Sequence, residues 1–185
     1  MKKTLIGIII VILALVVYIW PSYNSLVAQR ESTTALWQQV EVQYQRRFDL
    51  IPGIVNATKA VLVQEQKVFS DIADARTRYS GAQTVNDKIS AANQVDSALS
   101  RLLVIVENYP TLKSSETVRD LMTQLEGAEN RISTERGRFN DGVRAYNTTI
   151  KVFPKNLIAS MFGFDAFDYF QAQNGAENAP KVELI

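Results

Sequence analysis

From Leu5 to Trp20 the chain reads LIGIIIVILALVVYIW, sixteen apolar residues without a break. Coiled as a helix this run covers about 24 Å, and Thr4 and Tyr23 extend it to roughly the 30 Å of a bilayer's hydrocarbon core. Tyr18, Trp20 and Tyr23 gather at its far end, where an aromatic belt belongs. The pattern predicts a retained single-pass anchor over residues 1–21. A cleaved signal peptide is one rival reading, but the run is slightly long for one, no small-x-small site follows it, and Tyr18, Trp20 and Pro21 are bulky or rigid. A buried core helix is the other. Lys2 and Lys3 precede the run and the next cation is Arg30. The positive-inside rule then places the N-terminus in the cytoplasm and residues 22–185 on the periplasmic side of the cell inner membrane.

Past Tyr23 the period changes. Apolar residues recur every three or four positions, and between Ser22 and Phe153 the only prolines are Pro52 and Pro110. Four helices are predicted. The first runs from about Ser22 to Asp49, continuous with the span and ended by Pro52-Gly53. The second runs from about Ile54 to Tyr79, with Val55, Thr58, Leu62, Glu65, Phe69, Ile72, Arg76 and Tyr79 on one stripe. The third runs from about Val85 to Asn108, with Ile89, Ala92, Leu99, Leu102, Leu103 and Val106 inward. The fourth begins at a cap on Ser114 or Ser115 and carries Val118, Met122, Leu125, Glu129, Ile132, Arg136, Phe139, Val143, Tyr146, Ile150 and Phe153, stepping 4,3,4,3 as a heptad seam does. Short connections make neighbours antiparallel. The expectation is an all-α chain: a transmembrane helix, then an up-down antiparallel four-helix bundle over 22–153, then a short C-terminal helix.

Several charges fall on these apolar stripes: Arg30, Arg47, Glu65, Arg76, Glu129 and Arg136. A buried charge without a partner costs several kcal/mol, about 3–5 when a pair is broken. They therefore either snorkel at stripe edges or pair into polar layers that fix helix register. Arg47, near Pro52, also has the option of bonding the last carbonyls of its helix. Counting levels from a turn centred near residue 51 puts Arg30 beside Glu129, so Glu129 is expected to pair with Arg30, Arg76 or Arg136. The same count makes the fourth helix overshoot the membrane surface unless it bends at Gly137 or Gly142.

Residues 154–170 form an aromatic-rich segment, with Phe153, Leu157, Met161, Phe162, Phe164, Phe167, Tyr169 and Phe170 as candidate interface residues. Pro154 suits a helix start and the helix should reach Phe162, followed by an extended aromatic end. It either caps the bundle's own core, packs on a neighbouring copy or rests on the bilayer. Residues 171–185 read as a polar tail.

Composition removes whole classes of chemistry. The chain has no cysteine and no histidine, so thiol nucleophiles, disulfides and the commonest general base are absent, and zinc, iron or copper sites are not expected. A net charge of +1, with no basic run and no base-stacking motif, argues against nucleic-acid binding. Glu41, Glu65 and a buried Glu129 are the carboxylates available for acid–base work, but no glycine-rich phosphate loop or nucleophile motif accompanies them. No catalytic residue, cofactor, metal or small-molecule substrate is expected. Two glycosylation sequons, at Asn56 and Asn147, read as incidental on helices.

The motifs YNSLV at Tyr23–Val27, W-x-x-V-E at Trp37–Glu41, RRFDLIPGIV at Arg46–Val55, EGAENRI at Glu126–Ile132, RFNDGVRAYN at Arg138–Asn147 and FPKNLIASMFGF at Phe153–Phe164 resemble the LemA family of bacterial membrane proteins. They add Glu41, Arg46 and Asp49 to the polar set expected to matter for structure. The resemblance implies a single-pass membrane protein with an antiparallel helical domain and no established enzymatic activity. Family members are encoded near membrane metalloproteases, and one branch is linked to building intracellular membrane compartments. By association this implies scaffolding, partner adaptation or membrane shaping. The expectation is a non-enzymatic envelope scaffold that self-associates, in a ring if symmetry closes it, and organises or shapes membrane; the alternative is an adaptor for another membrane protein such as a membrane metalloprotease.

Overall fold

The structure, a computed structural model, describes residues 2–171 and is all-α over that range. The polar tail expected over 171–185 lies, beyond Gln171, outside the described residues. Six helices follow in order: α1 Lys2–Lys59, α2 Gln66–Gly81, α3 Val85–Glu107, α4 Pro110–Lys113, α5 Glu116–Lys151 and α6 Lys155–Phe162.

The first correction concerns Pro52. It does not end α1, which runs through both Pro21 and Pro52 for 58 residues, about 87 Å. An interior proline costs about 3 kcal/mol. Here its ring sits on the exposed face, while Ile51 and Ile54 on either side are 5% and 0% exposed. Burying an isoleucine returns about 1.5–3 kcal/mol, so the two together outweigh the proline. The turn therefore falls at 60–65 rather than near 51, and residues 54–59, expected to open the second helix, belong to α1. Glu65 and Arg76 leave the stripe predicted for them: Glu65 is half-buried at the start of α2, and Arg76 is exposed. The buried face of α2 is Val68, Ile72, Ala75 and Tyr79.

α1 and α5 are the long antiparallel pair. Arg47 meets Glu129, Trp37 meets Phe139, and the backbone of Gly142 lies under Leu36 and Thr33, so one number falls as the other rises. Any Cβ at position 142 would lie 2.6 Å from a Leu36 methyl, so a side chain there forces Leu36 to move. The 36 residues of α5, about 54 Å, match the length of α1 beyond the span. No bend at Gly137 or Gly142 is needed, and the predicted overshoot disappears with the misplaced turn.

The α2–α3 hairpin, of 16 and 23 residues, is too short to cover this pair along its whole length. Near the span the C-terminal segment covers it instead. The chain turns at Phe153-Pro154, a cis peptide, forms α6, stops at Gly163 in the left-handed region (φ 69°), and runs back along α5. Two asparagines hold it. Asn147 donates to the carbonyl of Phe167 (2.8 Å) and accepts its N–H (3.1 Å); Asn140 does the same for Phe170 (3.0 Å each way). Seven residues of helix rise about 10.5 Å, and three residues of extended chain advance about 10 Å. One heptad of α5 therefore matches the Phe167–Phe170 interval. Tyr146 adds a bond to the carbonyl of Asp165 (3.1 Å). Asn147 is 6% exposed, so its sequon is spent on packing. Replacing Asn140 and Asn147 together with alanine should free this segment at about 1–3 kcal/mol per site, read as faster hydrogen exchange at the Phe167 and Phe170 amides with α5 still protected.

The core has two parts. The larger runs from Trp37 to Val118 and Phe139 across α1, α2, α3 and α5, and Phe170 closes its near end. The smaller joins Leu26, Tyr146, Ile150, Ile158, Ala159 and Phe164 next to the span. The aromatic segment thus divides. Phe164 and Phe170 are buried and Phe167 is half-buried, while Phe153, Leu157, Met161, Phe162 and Tyr169 are exposed.

Candidate functional site

Midway along the bundle the apolar stripes are interrupted at one level. Arg47 from α1 donates from Nη1 to Asp96 Oδ1 (2.8 Å) and to Glu129 Oε2 (2.6 Å). Arg136 from α5 donates from Nη2 to Asp96 Oδ2 and to the Tyr44 hydroxyl, and its Nη1 lies 4.0 Å from Glu129 Oε1. The Tyr44 hydroxyl is 3.3 Å from both oxygens of Asp96. Two cations and two carboxylates from three helices therefore close on one another, with no net charge. The guanidinium of Arg136 also stacks over the rings of Tyr44 (5.4 Å) and Phe170 (4.7 Å), so the clamped C-terminal segment forms one wall.

Helical spacing puts them there. On α3, Ile89, Ala92, Asp96, Leu99, Leu103 and Val106 step 3,4,3,4,3, so Asp96 points inward as its apolar neighbours do and is 2% exposed. Arg47 takes the corresponding position after Trp37, Val40 and Tyr44. Glu129 and Arg136 are one heptad apart on α5 and share a face.

Burial sets the electrostatics. The Tyr44 hydroxyl is pushed well above its ordinary value of 10.0, first by burial and then by Asp96, against the opposing pull of Arg136 and Arg47. Tyr79 is raised by burial and by Glu41. Burial alone would lower Arg136; Tyr44 and Asp96 outweigh it and hold its proton more tightly than usual. Both tyrosines keep protons in the folded chain that the unfolded chain releases above pH 10. Their contribution is fully present below pH 10 and is lost as pH rises toward the folded-state values. Each costs about 1.4 kcal/mol per pH unit in that window. The Tyr79 hydroxyl has no partner among the described residues, so Tyr79→Phe should leave neutral-pH stability nearly unchanged and flatten the decline above pH 10, measured as urea midpoints against pH.

Of the polar residues predicted from sequence, Arg47, Glu129 and Arg136 meet in this layer. Glu129 takes Arg47 as its close partner and reaches only Arg136 of the three expected. Arg47 bonds carboxylates rather than carbonyls of its own helix. Glu41 pairs with Lys88 of α3. The others stay apart. Arg30 is exposed and acts at a distance on Tyr146, Arg46 is exposed beside Gln43, Asp49 is exposed and accepts from Gln45, and Arg76 lies 5.8 Å over the Phe48 ring. Asp96, Tyr44 and Asn140 are absent from the polar set the sequence marks, and Asn147 enters it only as an incidental sequon. Asp96 belongs in that set, since it lies on the α3 stripe by the same spacing that marked Arg47.

An open cleft of about 700 Å³ between α3 and α5 borders the layer, lined by Leu99, Leu103, Glu126, Asn130, Ser133 and Gly137 among others. Through it Glu129 keeps its side chain 40% exposed, whereas Asp96 stays at 3%. No group of three or more potential metal ligands occurs among the described residues.

The chain can be compared with known proteins. A sequence model of the LemA family matches residues 36–184. The chain is 31% identical over 175 residues to magnetosome protein MamQ 2 of Paramagnetospirillum magneticum, covering 80% of this chain and 64% of that one. It is 30% identical over 174 residues to magnetosome protein MamQ of Magnetospirillum gryphiswaldense, with the same coverage. It therefore spans just under two thirds of the length of these relatives. Among the described residues one helix is long and apolar enough to cross a membrane, and its apolar stretch is unburied. With a membrane-type helix, an antiparallel helical bundle and a match across most of its length, this chain is a member of the LemA family.

Proposed function

We propose that the protein is a non-enzymatic, membrane-anchored helical scaffold that associates with copies of itself through the sides of its bundle. The observation carrying this reading is the closure of the ionic layer. Each of its four charged groups is engaged by another, so the layer holds shape and leaves no free acid, base or nucleophile. Its role is to fix register. A slip of one heptad would move Arg47 about 10.5 Å from Glu129 and strand both charges. What the molecule then offers outward is surface, above all the open cleft between α3 and α5. A span that confines copies to a plane raises their effective concentration, and cyclic symmetry would close such contacts into a ring. The reading places the bundle on the periplasmic side of the inner membrane.

Native mass measurement of the full chain in mild detergent tests this. Oligomers are expected, and monomer alone across micromolar concentrations would sink the proposal. Crosslinking from a cysteine at Ser133, beside the cleft, should then join copies of the chain. A second reading is an adaptor for another membrane protein such as a membrane metalloprotease. Val61 and Val63, 41% and 60% exposed at the end of α1 remote from the span, favour it. Crosslinks from Val63 to one foreign protein, with none between copies, would support it over the first.

A further inference from the structure

α6 is apolar on two faces. Ile158 and Ala159 pack inward on Leu26, Tyr146 and Ile150. Leu157 (58%) and Met161 (71%), four residues apart, are exposed, as are Phe162 at the end of α6 and Val152 and Phe153 (74%) in the turn before it. A helix with apolar residues on opposite faces requires cover on both, and the described residues cover one. The uncovered side adjoins the span. The Phe162 ring lies 4.9 Å from that of Tyr23, edge to face, and Val16, Ile19, Trp20, Tyr23 and Phe162 line an apolar notch of about 330 Å³. Charge follows the same geography. No Asp or Glu occurs between Asp141 and Asp165, while Arg144, Lys151 and Lys155 do, and α1 carries no charge between Lys3 and Arg30. Asp168 lies clear of α6, where its N–H bonds Asn86 at the start of α3.

We propose that α6 and the turn before it form an interfacial membrane helix. Val152, Phe153, Leu157, Met161 and Phe162 enter the headgroup–acyl boundary beside the span, and exposed Lys151 meets lipid phosphates, while half-buried Lys155 bonds Ser25 of α1 (3.4 Å). The occupant is the bilayer and not a second copy, because the exposed stripe is continuous with the aromatic end of the anchor and follows Arg144 and Lys151, the nearest acid being Asp165, three residues past Phe162. The bundle thereby touches the membrane at two places, which fixes its tilt and its rotation about α1.

This inference rests on the anchor crossing the bilayer. The test separates the two. The chain has no cysteine, so single substitutions Ile12→Cys, Leu157→Cys, Met161→Cys and Val104→Cys each take one nitroxide label. The labelled full chain is reconstituted in vesicles of phosphatidylcholine with phosphatidylglycerol, and spin-label accessibility to oxygen and to a water-soluble nickel chelate is measured. The ratio of oxygen to nickel accessibility at 157 and 161 should exceed that at 104, on the exposed face of α3, several-fold, while staying below that at 12. Labels at 157 and 161 matching 104 would overturn the proposal while leaving the anchor intact. So would labels shielded from both reagents with spin–spin broadening, which would assign the face to a second copy. An aqueous label at 12 would overturn the anchor itself.

Discussion

Replacing Asp96 with asparagine is expected to lower the stability of the chain by about 3–5 kcal/mol, the largest loss at any charged position. The substitution barely changes volume. Its cost comes from Arg47 and Arg136, which would share one partly hydrated carboxylate while a buried carboxylate is lost from between them. Glu129→Gln should cost less, because its side chain is 40% exposed and water already solvates it through the cleft. Replacing Arg47, Asp96 and Arg136 together with methionine, leucine and methionine should recover much of the loss, since a well-packed apolar layer is often as stable as an ionic one. Chemical denaturation of the full chain in detergent, followed by circular dichroism, gives all three numbers. A D96N loss below about 1 kcal/mol would show that the layer is loosely held.

Trp37→Ala is expected to cost about 3–5 kcal/mol, the usual range for removing a buried large aromatic residue. Trp37 is 2% exposed, packs edge to face on Phe139 at 5.5 Å and stacks on Phe170 at 5.7 Å with 17° between the planes. It is thus the seat on which the C-terminal segment rests. The loss should arrive in two parts: a lower midpoint of global unfolding, and earlier exchange at the Phe170 amide. Trp37→Phe should keep most of both. If Trp37→Ala left exchange at Phe170 unchanged, the asparagine clamp alone would be holding the segment.

Much of this arrangement is legible in the chain, because apolar spacing reports which side of a helix is buried whatever it packs against. Val118, Leu125, Ile132, Phe139, Val143, Tyr146 and Ile150 on α5 are all buried, as their spacing predicts. The long apolar N-terminal helix and the all-helical class follow from length and period in the same way. Pairing between helices is a harder quantity, because it depends on where a turn falls. A stop at Pro52-Gly53 displaces one turn by about three helical turns of chain, and with it every level assignment. Glu129 then falls level with Arg30, leaving Arg30, Arg76 and Arg136 as its expected partners and omitting Arg47. Local propensity at Pro52 was real but smaller than the burial of Ile51 and Ile54. The split of the aromatic segment was illegible for another reason: an extended strand of chain held by asparagine amides has no periodic signature, and only the one-heptad interval between Asn140 and Asn147 hinted at it.

The separation in sequence between partners also sets an order of events. Arg47 and Glu129 lie 82 positions apart, Tyr44 and Arg136 lie 92 apart, whereas Arg78 and Gln94 of the α2–α3 hairpin are only 16 apart. Close pairs form first and distant ones wait on loop closure. As the chain is made from its N-terminus, the hairpin can zip early and offer Asp96 to Arg47, but Glu129 and Arg136, which complete the layer, arrive only with α5. A nascent chain cut short before α5 can offer Arg47 only Asp96, so the emergence of α5 as far as Arg136 is itself the signal for the interior to shut.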